Sequence, residues 1–335
     1  MRIIVPMAGM GKRMRPHTLT VPKPLVPIAG KPIVQRLVED IAKVCHEPIE
    51  EVAFIIGDFG KEVEAKLLDI AASVGAKGSI HYQDQPLGTA HAIMCAKEAL
   101  DGKVVVAFAD TLFKADFKLD TSADGTIWVQ QVNDPSAFGV IKMNAQNEIT
   151  DFVEKPTEFV SDLAIIGIYY FKDGAYLRSE LQYLLDNDIK DKGEFQLTDA
   201  LENMKNKGTK FVPGKISEWL DCGNKNATVY TNQRYLEYIK DEKDLVSPSA
   251  TITNSVIIPP VYIGEGAIIT NSVVGPHVSV GKKTGIYDTV ISNSIVQENS
   301  DLRNANVSNS MLGSFVTLQG KQSDLSVGDY NTIRD

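Results

Sequence analysis

The chain opens MRIIVPMAGMGKRMRPHTLTVPKPL, a run in which Gly9 and Gly11 follow a strand-like segment and Lys12, Arg13, Arg15 and Lys23 come close behind. Backbone N–H groups bared by glycine can cradle phosphate oxygens, and an arginine such as Arg13 can add a bidentate charge-assisted contact. Two glycines can also simply permit a tight turn, and four cations can form a solvated loop. Neither familiar phosphate fingerprint fits: a GxxxxGK[ST] loop needs a hydroxyl where Arg13 stands, and a GxGxxG run needs glycine at Met14. A ligand is favoured by Pro22-Lys23-Pro24, which fixes the backbone around a lysine that no structural demand explains.

Two carboxylates complement the cations. Asp110 follows the apolar strand VVVAFA, and Asp221 lies in Trp219-Leu220-Asp221-Cys222-Gly223. Each alone could be a cap or turn residue. Together with a phosphate loop they suit Mg²⁺, which takes one or two protein carboxylates plus phosphate oxygens and waters. Glu154-Lys155-Pro156 adds a lysine at a strand end. Glu194, in GEFQLTD, is either a ligand or a helix cap. His17, His46, His81, His91 and His277 have no metal-ligand spacing, and no GxSxG elbow or Cys-His signature occurs, so nucleophilic acyl chemistry is not expected.

The elements that must position these residues fall into two grammars. Up to about residue 240, short apolar runs (RIIVPM, VAFII, KVVVAFAD) alternate with helix-like segments (IVQRLVEDIAKV, KEVEAKLLDIAASV, TAHAIMCAKEAL), the βαβ pattern of a mostly parallel sheet. Ligands of such sheets lie beyond the carboxyl ends of the strands. Between 126 and 171 the pattern becomes β-rich, as an insertion or sheet extension would. A helix is expected over 228–244. After it, Asn-Ser-aliphatic triplets recur at Asn254, Asn271, Asn293 and Asn309, and aliphatic residues return every five or six positions. That is a repeat array, and its period suits a parallel β-helix in which one aliphatic side chain per short strand points inward. The expected organisation is a catalytic domain over 1–227, a connecting helix over 228–245 and a repeat domain over 246–335.

Of 335 residues, 43% are hydrophobic, and the net charge of −9 speaks against a nucleic-acid or membrane-surface binder, so phosphate recognition should be local. Cys45, Cys95 and Cys222 are few, scattered and without CxxC spacing, which suggests neither disulfides nor zinc. With no leader-like start and no long apolar run, a cytoplasmic location is expected.

AGMGKRMRPHT (8–18), PKPL (22–25), PLGTAHA (86–92), Asp110, FGVI (138–141), EKP (154–156), GEFQLTD (193–199) and WLDCG (219–223) together resemble the sugar-1-phosphate nucleotidyltransferases. The resemblance implies a Rossmann-like mixed sheet followed by a left-handed parallel β-helix. It implies that Ala8, Gly9 and Gly11 approach the nucleotide phosphates while Arg13 holds the β and γ phosphates. Lys23 would lie against the reacting phosphates, and Gln83, Gly88 and Thr89 around the base. Asp110 and Asp221 would hold Mg²⁺; Gly139, Glu154 and Glu194 would face the sugar; and Lys155 would bind its phosphate. Lys12 departs from the family, where Ser or Thr is usual, so a hydroxyl contact there is lost while backbone donors remain. The implied reaction joins an NTP, dTTP or UTP favoured, to a sugar 1-phosphate, glucose 1-phosphate favoured, and releases pyrophosphate. Alternatives are mannose-1-phosphate guanylyl transfer, a second acetyltransferase activity in the β-helix, and a non-catalytic sugar-nucleotide sensor. Homo-oligomerisation through the β-helix is expected.

Overall fold

The computed structural model describes residues 1–321 and 327, so the end of the expected 246–335 repeat domain lies outside the described residues. The chain divides into two compact units, one of residues 1–27 and 31–231, the other of residues 28–30 together with 232 onward.

The first unit is built on a nine-stranded sheet. Its centre is the strand Arg2–Pro6, whose residues from Ile3 on are buried. This strand pairs in parallel with Glu51–Ile56 on one edge and Val104–Ala107 on the other, and Lys77–Tyr82 extends the parallel set beyond Glu51–Ile56. Arg2–Pro6, Glu51–Ile56 and Val104–Ala107 read as near-continuous apolar runs because helices cover both faces of a parallel sheet, whereas the edge strand Lys77–Tyr82 is only partly buried. The helices Ile33–Cys45 and Lys61–Ser73 form where the 3.6-residue period was legible. The run expected as one helix from Thr89 stops at Met94, and a 3₁₀ turn covers Lys97–Ala99, because Ala96 leaves the helical region (φ −107°, ψ 35°).

The β-rich stretch extends the same sheet with a change of direction. Leu163–Phe171 runs antiparallel to Val104–Ala107 and also pairs with Gly125–Gln131 and with the edge hairpin of Val140–Met143 and Ile149–Val153. Separately, Trp219–Asp221 pairs antiparallel with Thr111–Phe113.

In the second unit, three parallel sheets of five, four and four strands form the sides of a β-helix. Observed here are the Rossmann-like mixed sheet and the left-handed β-helix architecture of the expected fold class. Thr251 pairs with Ile268 and Ile268 with Gly285, a coil of 17 residues, whereas Gly285, Asp301 and Thr317 follow at 16. Ile269, Ile286 and Leu302 stack inward with no exposed surface, each contributing roughly 1.5–3 kcal/mol by burial. The four Asn-Ser triplets do not share one corner. Asn254 donates to Asn271 at 2.8 Å and Asn271 to Asp288 at 3.2 Å along one corner, while Asn293 donates to Asn309 at 2.6 Å along another. All five sit at positive φ, which Asn and Asp tolerate best among residues bearing a Cβ.

The helix expected over 228–244 runs Lys225–Ile239. It starts earlier because the Oδ1 of Asn224 accepts from the N–H of Ala227 at 3.0 Å, a side-chain cap. It ends earlier because Lys240–Asp244 offers five consecutive charges and no apolar residue to bury. Within the second unit, the Nε2 of His277 meets the Oε1 of Glu237 on this helix at 2.7 Å. Ala29 donates to the Oδ1 of Asn232 at 2.9 Å, and Gly30, at φ +85°, lies against the ring of Tyr262.

A methyl group at Gly281 would sit 2.5 Å from the backbone nitrogen of Glu298 in the next coil, whereas one at Gly313 would meet nothing. Gly281→Ala is therefore expected to destabilise the coils by about 1–3 kcal/mol, and Gly313→Ala to leave them unchanged, as read by thermal unfolding.

Candidate active site

The parallel strands all end on one side of the sheet, and the direction in which the chain leaves Arg2–Pro6 differs at its two edges. This switch point opens a crevice between Arg2–Pro6 and Val104–Ala107. The glycine loop leaves one strand and Asp110 follows the other. Ala109 donates back to the carbonyl of Pro6 at 3.4 Å, tying the two exits together.

Local forces shape the loop. Gly11 adopts φ +58° and a Cβ there would lie 2.9 Å from the Cβ of Lys23, so glycine is required by conformation and by space. Thr18 Oγ1 donates to the Gly11 carbonyl at 2.7 Å. In the 3₁₀ turn Lys12–Met14 only Met14 is buried, which turns Lys12 and Arg13 outward. Gly9 differs from Gly11, since a Cβ there would meet nothing within 4 Å. Its lack of a side chain serves the open space, not the fold.

That space is a cavity of ≈ 560 Å³ whose walls include Ala8, Gly9, Gly11, Arg13, Lys23, Gln83, Gly88, Thr89, Asp110 and Glu194. Lys23 is only 8% exposed. Its Nζ lies 3.2 Å from the Oδ2 of Asp110, so a buried cation and a half-exposed carboxylate meet at the crevice. A second cavity of ≈ 230 Å³ shares Arg13, Thr89, Phe108 and Asp110 with the first and adds Gly139, Glu154, Thr198, Trp219 and Asp221.

The second carboxylate arrives by a route the sequence did not show. The short strand Trp219–Asp221 puts Asp221 opposite Thr111, and Cys222 donates to the carbonyl of Asp110 at 3.0 Å. Burial pushes the Asp221 carboxyl above its usual range and Asp110 adds to this, while the Gly223 N–H at 2.8 Å, Lys23 and Arg13 oppose it. A buried carboxylate whose proton affinity is raised in part by a second carboxylate forms with it a hard-oxygen pair suited to a divalent cation. Among the described residues no group of three or more His, Cys, Asp or Glu is arranged to hold a metal.

Most expected site residues come together, with three differences. Lys155 lines neither cavity. It is half exposed at φ +40°, with its Nζ 3.5 Å from the Oε1 of Glu154. Lys192 Nζ donates to the carbonyls of Glu154 at 3.3 Å and Lys155 at 2.8 Å and so pins this turn. Glu194 caps no helix, because the helix Leu197–Asn206 has Gln196 at its N-cap, and it borders the first cavity instead of the second. Gly88 has a structural duty as well: at φ +113° a Cβ would lie 2.4 Å from the Phe195 carbonyl oxygen.

Residues not singled out from sequence complete the second cavity. Thr198 Oγ1 donates to the Oε2 of Glu154 at 3.3 Å, and Thr89 Oγ1 donates to the Oε1 of Gln196 at 3.2 Å while accepting from Leu197 N–H at 2.9 Å. Phe138 and Trp219 meet edge to face at 5.1 Å and provide an apolar wall. Both lie inside or beside motifs already quoted, FGVI and WLDCG, but nothing in the sequence signals that their rings meet. Tyr169 is held protonated, chiefly by burial and then by Glu154 and Asp110.

This arrangement has relatives. The family pattern described as Nucleotidyl transferase matches residues 3–238. The chain belongs to that family. Within it, the chain is 31% identical over 288 residues to a glucose-1-phosphate thymidylyltransferase of Streptomyces antibioticus, covering 79% of this chain and 78% of the relative. It is 31% identical to the low-salt glycan biosynthesis nucleotidyltransferase Agl11 of Haloferax volcanii, over 74% of this chain and 70% of that one. It is also 30% identical to the bifunctional protein GlmU of Methanococcus vannielii, over 77% of this chain but only 61% of the relative's length. In fold, a UDP-glucose pyrophosphorylase complexed with UDP-glucose superposes with a TM-score of 0.58 at 23% identity, over 71% of this chain and 98% of that one. Among the described residues no helix is long and apolar enough to cross a membrane.

One carboxyl beside the site stores a pH dependence. Asp199, in the first turn of Leu197–Asn206, is raised from 3.8 to about 6 by burial, then by Asp191 and Glu154, and its Oδ2 is buried without a hydrogen bond. The folded state thus binds this proton more tightly than the unfolded chain. The associated stability is present below about pH 4 and is lost as pH rises through about 6. Asp199→Asn is expected to raise the melting temperature at pH 8 and to change it little at pH 4.

Proposed function

We propose that the protein transfers a nucleotidyl group from an NTP, dTTP or UTP favoured, to a sugar 1-phosphate, glucose 1-phosphate favoured, giving an NDP-sugar and pyrophosphate. The observation that carries this reading is the pair of adjoining cavities sharing Arg13 and Asp110. One is walled by the glycine loop and Lys23, the other by Glu154, Thr198 and an aromatic face.

In this reading the triphosphate lies along Ala8, Gly9 and Gly11, with backbone N–H groups and Arg13 against its oxygens. The sugar phosphate enters from the second cavity, where Glu154 and Thr198 meet sugar hydroxyls and the Phe138–Trp219 wall meets the C–H face of the ring. A phosphate oxygen attacks the α-phosphorus in line, the new P–O bond forms, and the bond to pyrophosphate breaks on the opposite side. Two anions must approach, and Lys23 is the buried cation at their meeting point; Lys155, its Nζ 3.5 Å from the Glu154 that lines the second cavity, would serve the sugar phosphate by swinging in from outside. Holding both reactants in one geometry supplies much of the acceleration, and no covalent enzyme intermediate is needed. Asp110 and Asp221 are the residues to hold Mg²⁺, which when bound would neutralise phosphate charge. The mutual repulsion of the two carboxylates is what such a cation relieves.

The three free cysteines fit a cytoplasmic location, and the partly exposed outward row Val256, Val273 and Val290 on one β-helix side fits assembly into a homo-oligomer, which light scattering would size.

The expected outcome is pyrophosphate release with one strongly preferred NTP and sugar 1-phosphate pair, from a grid of five NTPs against glucose, N-acetylglucosamine, mannose and galactose 1-phosphates. Silence across the grid from folded protein would reject transfer. Asp110→Ala and Asp221→Ala should each lower turnover by about 10²-fold or more while circular dichroism stays unchanged; normal turnover in both would remove the metal pair.

A further inference from the structure

The first cavity is electrically divided. Lys12, Arg13 and Lys23 stand at the glycine loop, while Gln83, Pro86, Gly88 and Ala92, all uncharged, line it at the end of the strand Lys77–Tyr82. That strand is two places along the sheet from Arg2–Pro6, about 10 Å at ordinary strand spacing. A nucleotide whose phosphates take the cations must put its neutral heterocycle toward Gln83.

The orientation of the Gln83 carboxamide is settled by its neighbours. One end lies 3.4 Å from the Gly88 carbonyl oxygen, which can only accept, so that end is the NH₂. The same Nε2 lies 3.2 Å from Nδ1 of His91. His91 must then accept there, which fixes the imidazole as neutral with its proton on Nε2. Burial, which lowers the proton affinity of His91, keeps it so. Both N–H donors of Gln83 are thereby engaged within the protein. Its Oε1 has no hydrogen-bond partner among the described residues and belongs to a side chain that lines the cavity.

We propose that His91 is a positioning residue for base selection: by holding the Gln83 amide, it presents Oε1 to the base and selects bases with a ring N–H donor at the paired edge. Uracil, thymine and guanine carry that donor, whereas cytosine and adenine carry an unprotonated ring nitrogen that would face Oε1 lone pair to lone pair. An amide free to rotate would serve either kind, so the histidine supplies the discrimination without touching the nucleotide. This rests on the nucleotidyl-transfer reading, because it places an NTP in the first cavity.

The test is calorimetric binding of UTP against CTP and of GTP against ATP, without sugar phosphate, to the full chain and to two variants. We expect the ring-N–H member of at least one pair to bind about tenfold or more tightly, and that ratio to fall toward one in His91→Leu. It should be retained in His91→Asn, whose Oδ1 can take the acceptor place of Nδ1. A loss of affinity shared equally by both members in His91→Leu, with the ratio unchanged, would mark a merely structural role and overturn the proposal. So would a wild-type preference for CTP or ATP, or none, while the transfer reading survived. Failure of all four nucleotides to bind the folded wild type would reject both.

Discussion

The placement of Arg2–Pro6 between two parallel neighbours is the constraint on which the site depends. A strand hydrogen-bonded in parallel on both edges must lie in the sheet interior, and the chain can return to its two neighbours only by crossing in different directions. The peptides after Pro6 and after Ala107 therefore leave the sheet side by side. Glycines at the first exit and an aspartate at the second become a site only because of this adjacency. Moving Val104–Ala107 to another edge would separate Asp110 from Lys23 with every residue unchanged.

Around that gap the protein concentrates opposite charges that its overall acidity does not forecast. Lys23 is nearly buried against Asp110, Asp221 is raised by desolvation and by Asp110, and Arg13 stands exposed beside them. In low-dielectric surroundings each of these interactions is stronger than on an open surface. In the proposed reaction, anions entering the gap would meet groups already fixed in position, leaving little rearrangement to be done when charge moves.

Much of this was legible in sequence because it is local. The glycine loop, the proline-flanked Lys23 and the apolar run before Asp110 each carry their own conformational instruction, and the helices show their 3.6-residue period. What was not legible depends on pairing between distant segments. The strand Trp219–Asp221 is three residues long and exists only by pairing with Thr111–Phe113. Thr198 and Gln196 line the second cavity while the neighbouring Phe195 packs on Gly88, which no spacing reveals. The asparagine triplets look equivalent in sequence, yet Asp288 holds the corner position one coil after Asn271, and Asn293 falls five residues past it, at the next corner. Lys155 was placed by its motif, but its left-handed backbone, pinned by Lys192, turns it out of both cavities.

Ile28–Gly30 belongs to the second unit although the chain on either side belongs to the first. The two units are thus joined at three crossings of the backbone, not one, and no single cleavage near Thr231 separates them. A fragment ending there would keep Ile28 and Ala29, both buried in the full chain, but lose the asparagine and tyrosine that meet this segment. In the terms of chain topology, the unit of the repeat array takes in a three-residue segment of the early chain, just five residues beyond Lys23. A replacement of this chain's whole β-helix module must therefore be matched at residues 28–30, far away in sequence from the module they accompany.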